Sequence, residues 1–278
     1  MPGSVPIDPD VRPKPFVKWV GGKRQLIAEL EQHVPAASKI GTYHEPFVGG
    51  GALFFHRCPE RAVLSDTNER LIRTYRGVKN EVEDVIRLLA KFPHKKEFFL
   101  KKRQEPIDRR SDAEVAAWFI YLNKTGYNGL YRVNSKNLFN VPFGDYAKPK
   151  ICDAPNLRAC SRALANAEIR LQSFEAASAA AAAGDFVYFD PPYVPLSASS
   201  YFTSYTAEGF GDEQQVKLHD VALELKKRKV RVLLSNSSAP RVYELYRGRD
   251  FKVREVLASR HVNSNSEKRG KIAELVIY

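Results

Sequence analysis

No run of eighteen apolar residues occurs anywhere in this 278-residue chain, so no membrane-spanning helix is expected. Cysteine is scarce: Cys58, Cys152 and Cys160 are odd in number, far apart and form no CxxC pair. Neither a disulfide framework nor a zinc site is supported, and a cytoplasmic setting is the simplest expectation. No second histidine or cysteine stands at ligand spacing from His44, so no metal is expected. Met1 to Pro15 carries five prolines and lacks the apolar core of a signal peptide; residues 1–14 read as a disordered lead-in. Two nucleotide-binding signatures are also missing. After Gly49 and Gly51, the last glycine of G-x-G-x-x-G is replaced by Phe54, and Gly21-Gly22-Lys23-Arg24 lacks the hydroxyl residue and spacing of a phosphate loop.

What is present describes a folded, basic protein. Hydrophobic residues make up 44% of the chain, enough for a real core, and the length suits one sizeable α/β domain with a smaller unit inserted in it. Lys and Arg number 44 against 32 Asp and Glu, a formal charge of +12. Such an excess fits a polyanionic partner, because neutralised phosphates release condensed counterions; it also fits a merely basic soluble enzyme.

Short apolar stretches at Thr42–Pro46, Ala62–Leu64, Asp185–Phe189 and Val230–Leu234 read as strands. Helical patterns at Lys23–His33, Asn68–Arg76, Asn156–Ala165 and Glu213–Lys229 lie between them. This alternation predicts a doubly wound, mostly parallel α/β sheet. Phe251–Leu257 and Lys271–Tyr278 would add an antiparallel end, joined by the polar segment Ser259–Gly270; Ser264, Asn265, Lys268 and Arg269 of that segment, with Lys271 beside it, are candidate contacts to the backbone of the polyanion. In such sheets ligands bind beyond the carboxyl ends of the strands. Residues 79–149 break the rhythm. Lys91–Arg110 is strongly basic, and Asn123–Tyr146 is rich in Asn, Gly and aromatics. This stretch reads as an inserted, mainly helical unit that touches the polyanion, or else as a solvated helix pair with a loop. The expected division is 15–78 with 150–278 for the catalytic part, and 79–149 for the insert.

The sharpest signal is Asp190-Pro191-Pro192-Tyr193, directly after the buried-strand pattern Phe186-Val187-Tyr188-Phe189. Two prolines fix two φ angles and remove two donors, making a stiff corner whose carbonyls are free to accept. An aromatic amine is a poor nucleophile because its lone pair is delocalised into the ring. If the Asp190 side chain and a corner carbonyl both accept from the NH₂, the amine becomes pyramidal and can attack an electrophilic methyl group in line. Tyr193 offers a ring on which a flipped base can stack. The turn Glu45-Pro46-Phe47-Val48-Gly49-Gly50-Gly51 lets the main chain approach a cofactor. Asp66, at the end of the next strand, is placed to accept from ribose hydroxyls; a helix N-cap role for it is compatible.

These segments, with Lys18-Trp19-Val20-Gly21-Gly22-Lys23, Tyr127-Asn128-Gly129-Leu130-Tyr131-Arg132, Phe139-Asn140-Val141-Pro142-Phe143-Gly144, Pro195-Leu196-Ser197-Ala198 and Leu234-Ser235-Asn236-Ser237, resemble the Dam-like family of DNA N6-adenine methyltransferases. The resemblance runs from about Pro15 to Tyr278 and implies a seven-stranded methyltransferase sheet with an antiparallel last strand and a DNA-recognition insert that carries a hairpin. It implies S-adenosylmethionine as cofactor, held by Trp19, Gly22, Lys23, Glu45, Pro46, Phe47, Gly49, Gly51, Asp66, Phe174 and Asp190. It implies catalysis by Asp190, Pro191, Pro192 and Tyr193 on an adenine flipped from double-stranded DNA. Tyr127 and Asn128 match the residues that fill or stabilise the gap left by that base, and Lys18, Leu130, Arg132 and Pro142 match readers of GATC. One position departs: where GATC-type members carry Arg after the Val-Pro-Phe-Gly run, this chain has Asp145. A cognate restriction endonuclease is a candidate partner, and a monomer or weak dimer is expected. The tetrad alone leaves cytosine N4 open as the acceptor, and a catalytically silent DNA-binding regulator is the rival of another class.

Overall fold

The computed structural model describes residues 11–194, 210–259 and 271–278. It divides into two compact units. One holds the described residues up to Gly22, Gly49–Cys58 and Asn68–Leu171; the other holds Lys23–Val48, Pro59–Thr67 and the described residues from Gln172 onward.

The strands are β1 (Tyr43–Glu45), β2 (Ala62–Asp66), β3 (Ala167–Leu171), β4 (Phe186–Phe189), β5 (Arg231–Ser237), β6 (Val253–Ser259) and β7 (Lys271–Ile277), in sheet order β3-β2-β1-β4-β5-β7-β6. β1 pairs in parallel with β2 and β4, and β4 with β5. β7 lies between β5 and β6 and is antiparallel to both. The expected mostly parallel seven-stranded sheet with an antiparallel last strand is therefore the observed one. β3 is the strand that patterning did not reveal: its exposed Glu168 and half-buried Ile169 and Arg170 make no run of apolar residues.

The helices are α1 (Ile27–Glu31), α2 (Ala52–Arg57), α3 (Glu69–Asn80), α4 (Val82–Leu89), α5 (Lys96–Lys102), α6 (Asp112–Thr125), α7 (Ala154–Leu164), α8 (Phe174–Ala179), α9 (Asp212–Lys227) and α10 (Pro240–Tyr246). In the sheet-bearing unit every residue of β4 is buried, because a central parallel strand is covered on both faces. Val187 and Phe189 pack with Leu218, Ala222 and Leu225 of α9 and with Val242 and Tyr246 of α10. The alanine-rich α8 ends at Ala179, with Gly184 in the left-handed region beyond it. Lys226 and Arg228, at the end of α9, are both engaged. Lys226 lies over Phe251 and donates to the Asp250 carbonyl, while Arg228 donates to the carbonyls of Ala179 and Ala181.

The other unit is organised around α6. Ser111 and Glu114 close a reciprocal capping box at its start, and its residues are buried nearly all round, so it is a central helix rather than an amphipathic surface one. α3, α4 and α5 pack against it. That packing groups α3 and α7 with the residues expected as an insert, so this compact unit is larger than 79–149. Lys14, expected to be part of a disordered lead-in, exchanges two backbone hydrogen bonds with the Asn156 side chain, both 2.9 Å.

Two arginines of α3 pin the loop that enters α6. Arg70 makes a bidentate pair with Asp108 at 2.6 and 2.7 Å, and Arg73 holds Asp112 at 2.7 Å. Arg70 is buried beneath Trp118, whereas Asp108 is about half exposed, so solvent screens part of the pair. Asp108→Ala leaves the guanidinium buried without its partner and is expected to cost about 1–2 kcal/mol, read as a lower urea midpoint. The Arg70 guanidinium holds the Asp108 carboxyl below its ordinary value. The pair's contribution is thus present above the unfolded carboxyl's pKa and is lost as pH falls through the folded one. A mutant penalty that stays constant through acid pH would contradict this assignment.

Candidate active site and nucleic-acid interface

β4 delivers Asp190 to the carboxyl end of the sheet, immediately after Phe189. Lys23 Nζ lies 2.7 Å from Asp190 Oδ1, and Ser235 Oγ donates to the same oxygen at 3.1 Å. Among the described residues, no donor reaches Oδ2. Burial raises the Asp190 carboxyl above its ordinary pKa, against the opposing pull of Lys23 and then Ser235. The side chain nonetheless keeps 23% of its surface exposed, whereas Lys23 keeps 4%. The result is a carboxylate whose Oδ1 is engaged twice and whose side chain is not fully enclosed.

The rest of the tetrad is braced from neighbouring elements. Tyr193 donates its hydroxyl to Glu274 of β7 at 2.6 Å, and the Lys23 ammonium sits 4.4 Å from the centre of its ring. Gln215, buried within α9, donates to the Pro192 carbonyl at 3.2 Å. Lys23, assigned from sequence to the cofactor, is thus found on the Asp190 carboxylate.

The cofactor candidates fall in both units. In the sheet-bearing unit, Glu45 is buried at the end of β1 and accepts from the Tyr43 hydroxyl at 2.7 Å. Pro46 follows, buried, and Phe47 stacks on Phe174 at the start of α8 with ring centres 5.3 Å apart. Asp66 ends β2, half-buried. The N-cap of α3 is Asn68, whose side chain accepts from Leu71 N, so capping is not the role of Asp66. In the other unit, Gly49 has φ +44° and a Cβ there would stand 2.6 Å from the Trp19 ring; only glycine lets the turn meet Trp19 this closely. Gly51 is the N-cap of α2, and Gly22 N closes a turn onto the Trp19 carbonyl at 3.1 Å. Trp19 is itself placed by stacking on Phe119 and Tyr131.

The residues matched to DNA contacts all lie in the α6-centred unit. Lys18, Tyr127, Asn128, Arg132 and Pro142 are exposed and Leu130 is half-exposed. Their loop is a hairpin with antiparallel bridges Gly126–Phe143 and Val133–Phe139. Tyr127 N donates to the Pro142 carbonyl at 2.9 Å, and Arg132 Nε to Asn140 Oδ1 at 2.7 Å. Asn128 (φ 53°) and Gly129 (φ 64°) both lie in the left-handed region, and the Lys18 stem packs where a Gly129 Cβ would be. Lys18 Nζ lies 3.3 Å from the Tyr146 hydroxyl, over its ring. Asp145 is exposed.

Four supporting residues escaped sequence reasoning: Asn123, Gln215, Ser235 as a partner of Asp190, and Glu274. Asn123 is buried at the end of α6; its amide accepts from Lys18 N and donates to the carbonyls of Lys18 and Gly129. The signal available was a polar residue inside an apolar run, which does not reveal its partner. His44, set aside as a ligand, is 3.0 Å from Asp185 and serves the structure. No cluster among the described residues could hold a metal ion, and no helix among them is long and apolar enough to cross a membrane. The candidate contacts Ser264, Asn265, Lys268 and Arg269, and the Pro195–Ala198 segment, lie outside the described residues.

With this geometry in place, comparison with known proteins is decisive. The family profile described as D12 class N6 adenine-specific DNA methyltransferase matches residues 19–262. This chain belongs to that family. The methyltransferase is 46% identical over 272 residues to the type II methyltransferase M1.LlaDCHI of Lactococcus lactis subsp. cremoris, covering 95% of this chain and 94% of the relative. It is 41% identical over 285 residues to the type II methyltransferase M.MjaIII of Methanocaldococcus jannaschii, covering 95% and 98%. It is 35% identical over 265 residues to a DNA adenine methylase of Escherichia coli, covering 94% and 93%. The enzyme is an adenine-N6 DNA methyltransferase, and both the cytosine-N4 reading and the silent-regulator reading fall away.

Proposed function

We propose that this methyltransferase uses S-adenosylmethionine to methylate the adenine of GATC in double-stranded DNA, with Asp190 as the group that receives the target amine. The observation that carries the reading is the division of labour on Asp190: Lys23 and Ser235 hold Oδ1, while Oδ2 is left for a donor from outside the described residues.

The cofactor fits the residues present. In the sheet-bearing unit, Phe47 and Phe174 offer an apolar surface, and Asp66 at the end of β2 is placed to accept from ribose hydroxyls. When bound, S-adenosylmethionine supplies a methyl group made electrophilic by a sulfonium sulfur. The protein's part is to prepare the nucleophile. Asp190 Oδ2 accepts one N6 proton and a carbonyl of the proline corner the other, which localises the lone pair. Tyr193, pinned through its hydroxyl to Glu274, provides a rigid ring for the flipped base. A carboxylate whose pKa is raised by burial also retains a proton more readily, so Asp190 suits the release of the N6 proton after transfer.

Target choice rests on the match of Lys18, Leu130, Arg132 and Pro142. Arg132, exposed and hydrogen-bonded through Nε to Asn140, is the proposed donor to guanine O6 and N7, and Leu130 and Pro142 are the proposed apolar contacts to a thymine methyl. Tyr127 and Asn128 are proposed to fill the space left by the flipped base. The type II names of two relatives support a role in restriction–modification beside a cognate endonuclease. Sequencing DNA modified by the purified enzyme for N6-methyladenine tests the site, and marks centred on any sequence other than GATC would overturn it. Arg132→Ala is expected to lower discrimination against a substituted guanine by roughly 10- to 100-fold, the value of a lost bidentate contact, while affinity for random duplex changes little. Equal losses on cognate and random duplexes would make Arg132 a phosphate contact instead.

A further inference from the structure

The motif at the end of β5 has no assigned role in the chemistry, yet its three polar residues each meet a different part of the catalytic corner. We propose that Ser235, Asn236 and Ser237 form a brace that sets the position of Asp190–Val194, acting as positioning residues for methyl transfer. The proposal rests on the reading of Asp190 as the amine-binding carboxylate.

Register explains how the brace arises. Phe189 of β4 pairs with Leu234 of β5, so the next residues along, Asp190 and Ser235, meet side by side. Ser235 is fully buried and its hydroxyl donates to Asp190 Oδ1 at 3.1 Å. A serine hydroxyl has one proton, so the 3.0 Å contact between Tyr188 and Ser235 must have Tyr188 as donor. Burial, then the charge of Asp190, keeps the Tyr188 phenol well above its usual pKa, so this proton stays in place. The result is a one-way relay, Tyr188 to Ser235 to Asp190, which fixes the rotamer of the carboxylate.

Asn236 works through α9. Its Oδ1 accepts from Ser237 N at 2.8 Å, which turns its NH₂ toward Gln215 Oε1 at 3.0 Å. Gln215 is thereby oriented with its own NH₂ on the Pro192 carbonyl at 3.2 Å. The direction of both amides follows from a backbone N–H that can only donate. Ser237 Oγ donates to the Val194 carbonyl at 2.7 Å, closing the far side of the corner. Ser235, Asn236 and Gln215 are at most 1% exposed, and buried polar groups at that depth are costly unless their hydrogen bonds are made. One tripeptide thus holds a side-chain oxygen and, directly or through Gln215, two main-chain carbonyls of a segment that must place an amine to within fractions of an ångström.

The test compares Ser235→Ala, Ser235→Thr and Gln215→Ala with the unaltered enzyme and with Asp190→Ala. Single-turnover methylation of an adenine-containing duplex is measured across pH, alongside S-adenosylmethionine binding, duplex binding and thermal unfolding. Ser235→Ala should lower the methylation rate on the order of 10- to 100-fold, the scale of a misplaced reacting group, with both binding constants within about twofold. Its acid limb should move to higher pH, because the lost hydrogen bond favoured the ionised carboxylate. Ser235→Thr, which keeps the hydroxyl, should restore the rate and the limb. Gln215→Ala should lower the rate without moving the limb, since it holds a carbonyl and no titrating group. A wild-type rate and limb in Ser235→Ala overturns the brace, as does a rate loss that merely tracks unfolding or that Ser235→Thr fails to rescue. Should Ser235→Ala not fold, a wild-type rate in folded Gln215→Ala overturns it equally. An active Asp190→Ala would instead overturn the reading on which the brace rests.

Discussion

Asp190→Ala is expected to reduce methyl transfer by at least about 1,000-fold while S-adenosylmethionine and duplex binding persist. The carboxylate is the sole group placed with one oxygen held by Lys23 and Ser235 and the other left for the amine, among the described residues. Without it the N6 lone pair stays in the ring and the amine lacks its strongest acceptor. The substitution also leaves Lys23 buried without its counter-charge, so the variant must be shown to be folded before its rate is read. Asp190→Asn separates the parts of this role. An amide oxygen still accepts a hydrogen bond, so partial activity should remain, but an amide does not titrate and the acid limb should disappear. The sign follows from the raised pKa: activity that needs the ionised form is full at high pH and falls as pH drops through that value. A limb that persists unchanged in Asp190→Asn would assign it to another group.

Lys23→Met is the second large effect. The ammonium is almost wholly buried against Asp190 and over the Tyr193 ring, so it contributes both charge and position. Removing it withdraws the main influence that opposes desolvation of the carboxyl. The Asp190 pKa then rises further and the acid limb moves toward neutrality. Turnover is expected to fall on the order of 100-fold at neutral pH and to recover partly in alkaline buffer. Loss of cofactor binding without any change in the pH profile would return Lys23 to the purely cofactor-binding role that its motif suggested.

Much of this site was legible in the sequence because each element ends on its function. Asp190 follows a buried strand directly, Asp66 closes β2, and the glycine turn follows β1. The two prolines announce a stiff corner by their covalent chemistry alone. The loop segment of the α6-centred unit stood out as rich in Asn, Gly and aromatics, but its hairpin followed only from the resemblance, and α4, α5 and the capped, wholly buried α6 were not resolved into separate helices. Asp66 shows the limit of local reading: both a cap and a ligand role suited it, and only the Asn68–Leu71 hydrogen bond assigned the cap elsewhere.

By itself, then, the sequence determined the fold class, the alternating sheet and the chemistry of an amine held at a strand's end, since these follow from local periodicity and residue type. The tertiary structure decided what holds that end in place. It brought Lys23 onto Asp190, set Ser235 beside it through the pairing of β4 with β5, and led Gln215 out of α9 to the Pro192 carbonyl. Partners of this kind are selected by strand register and by the need to satisfy buried polar groups, and neither is written in the spacing of residues along the chain.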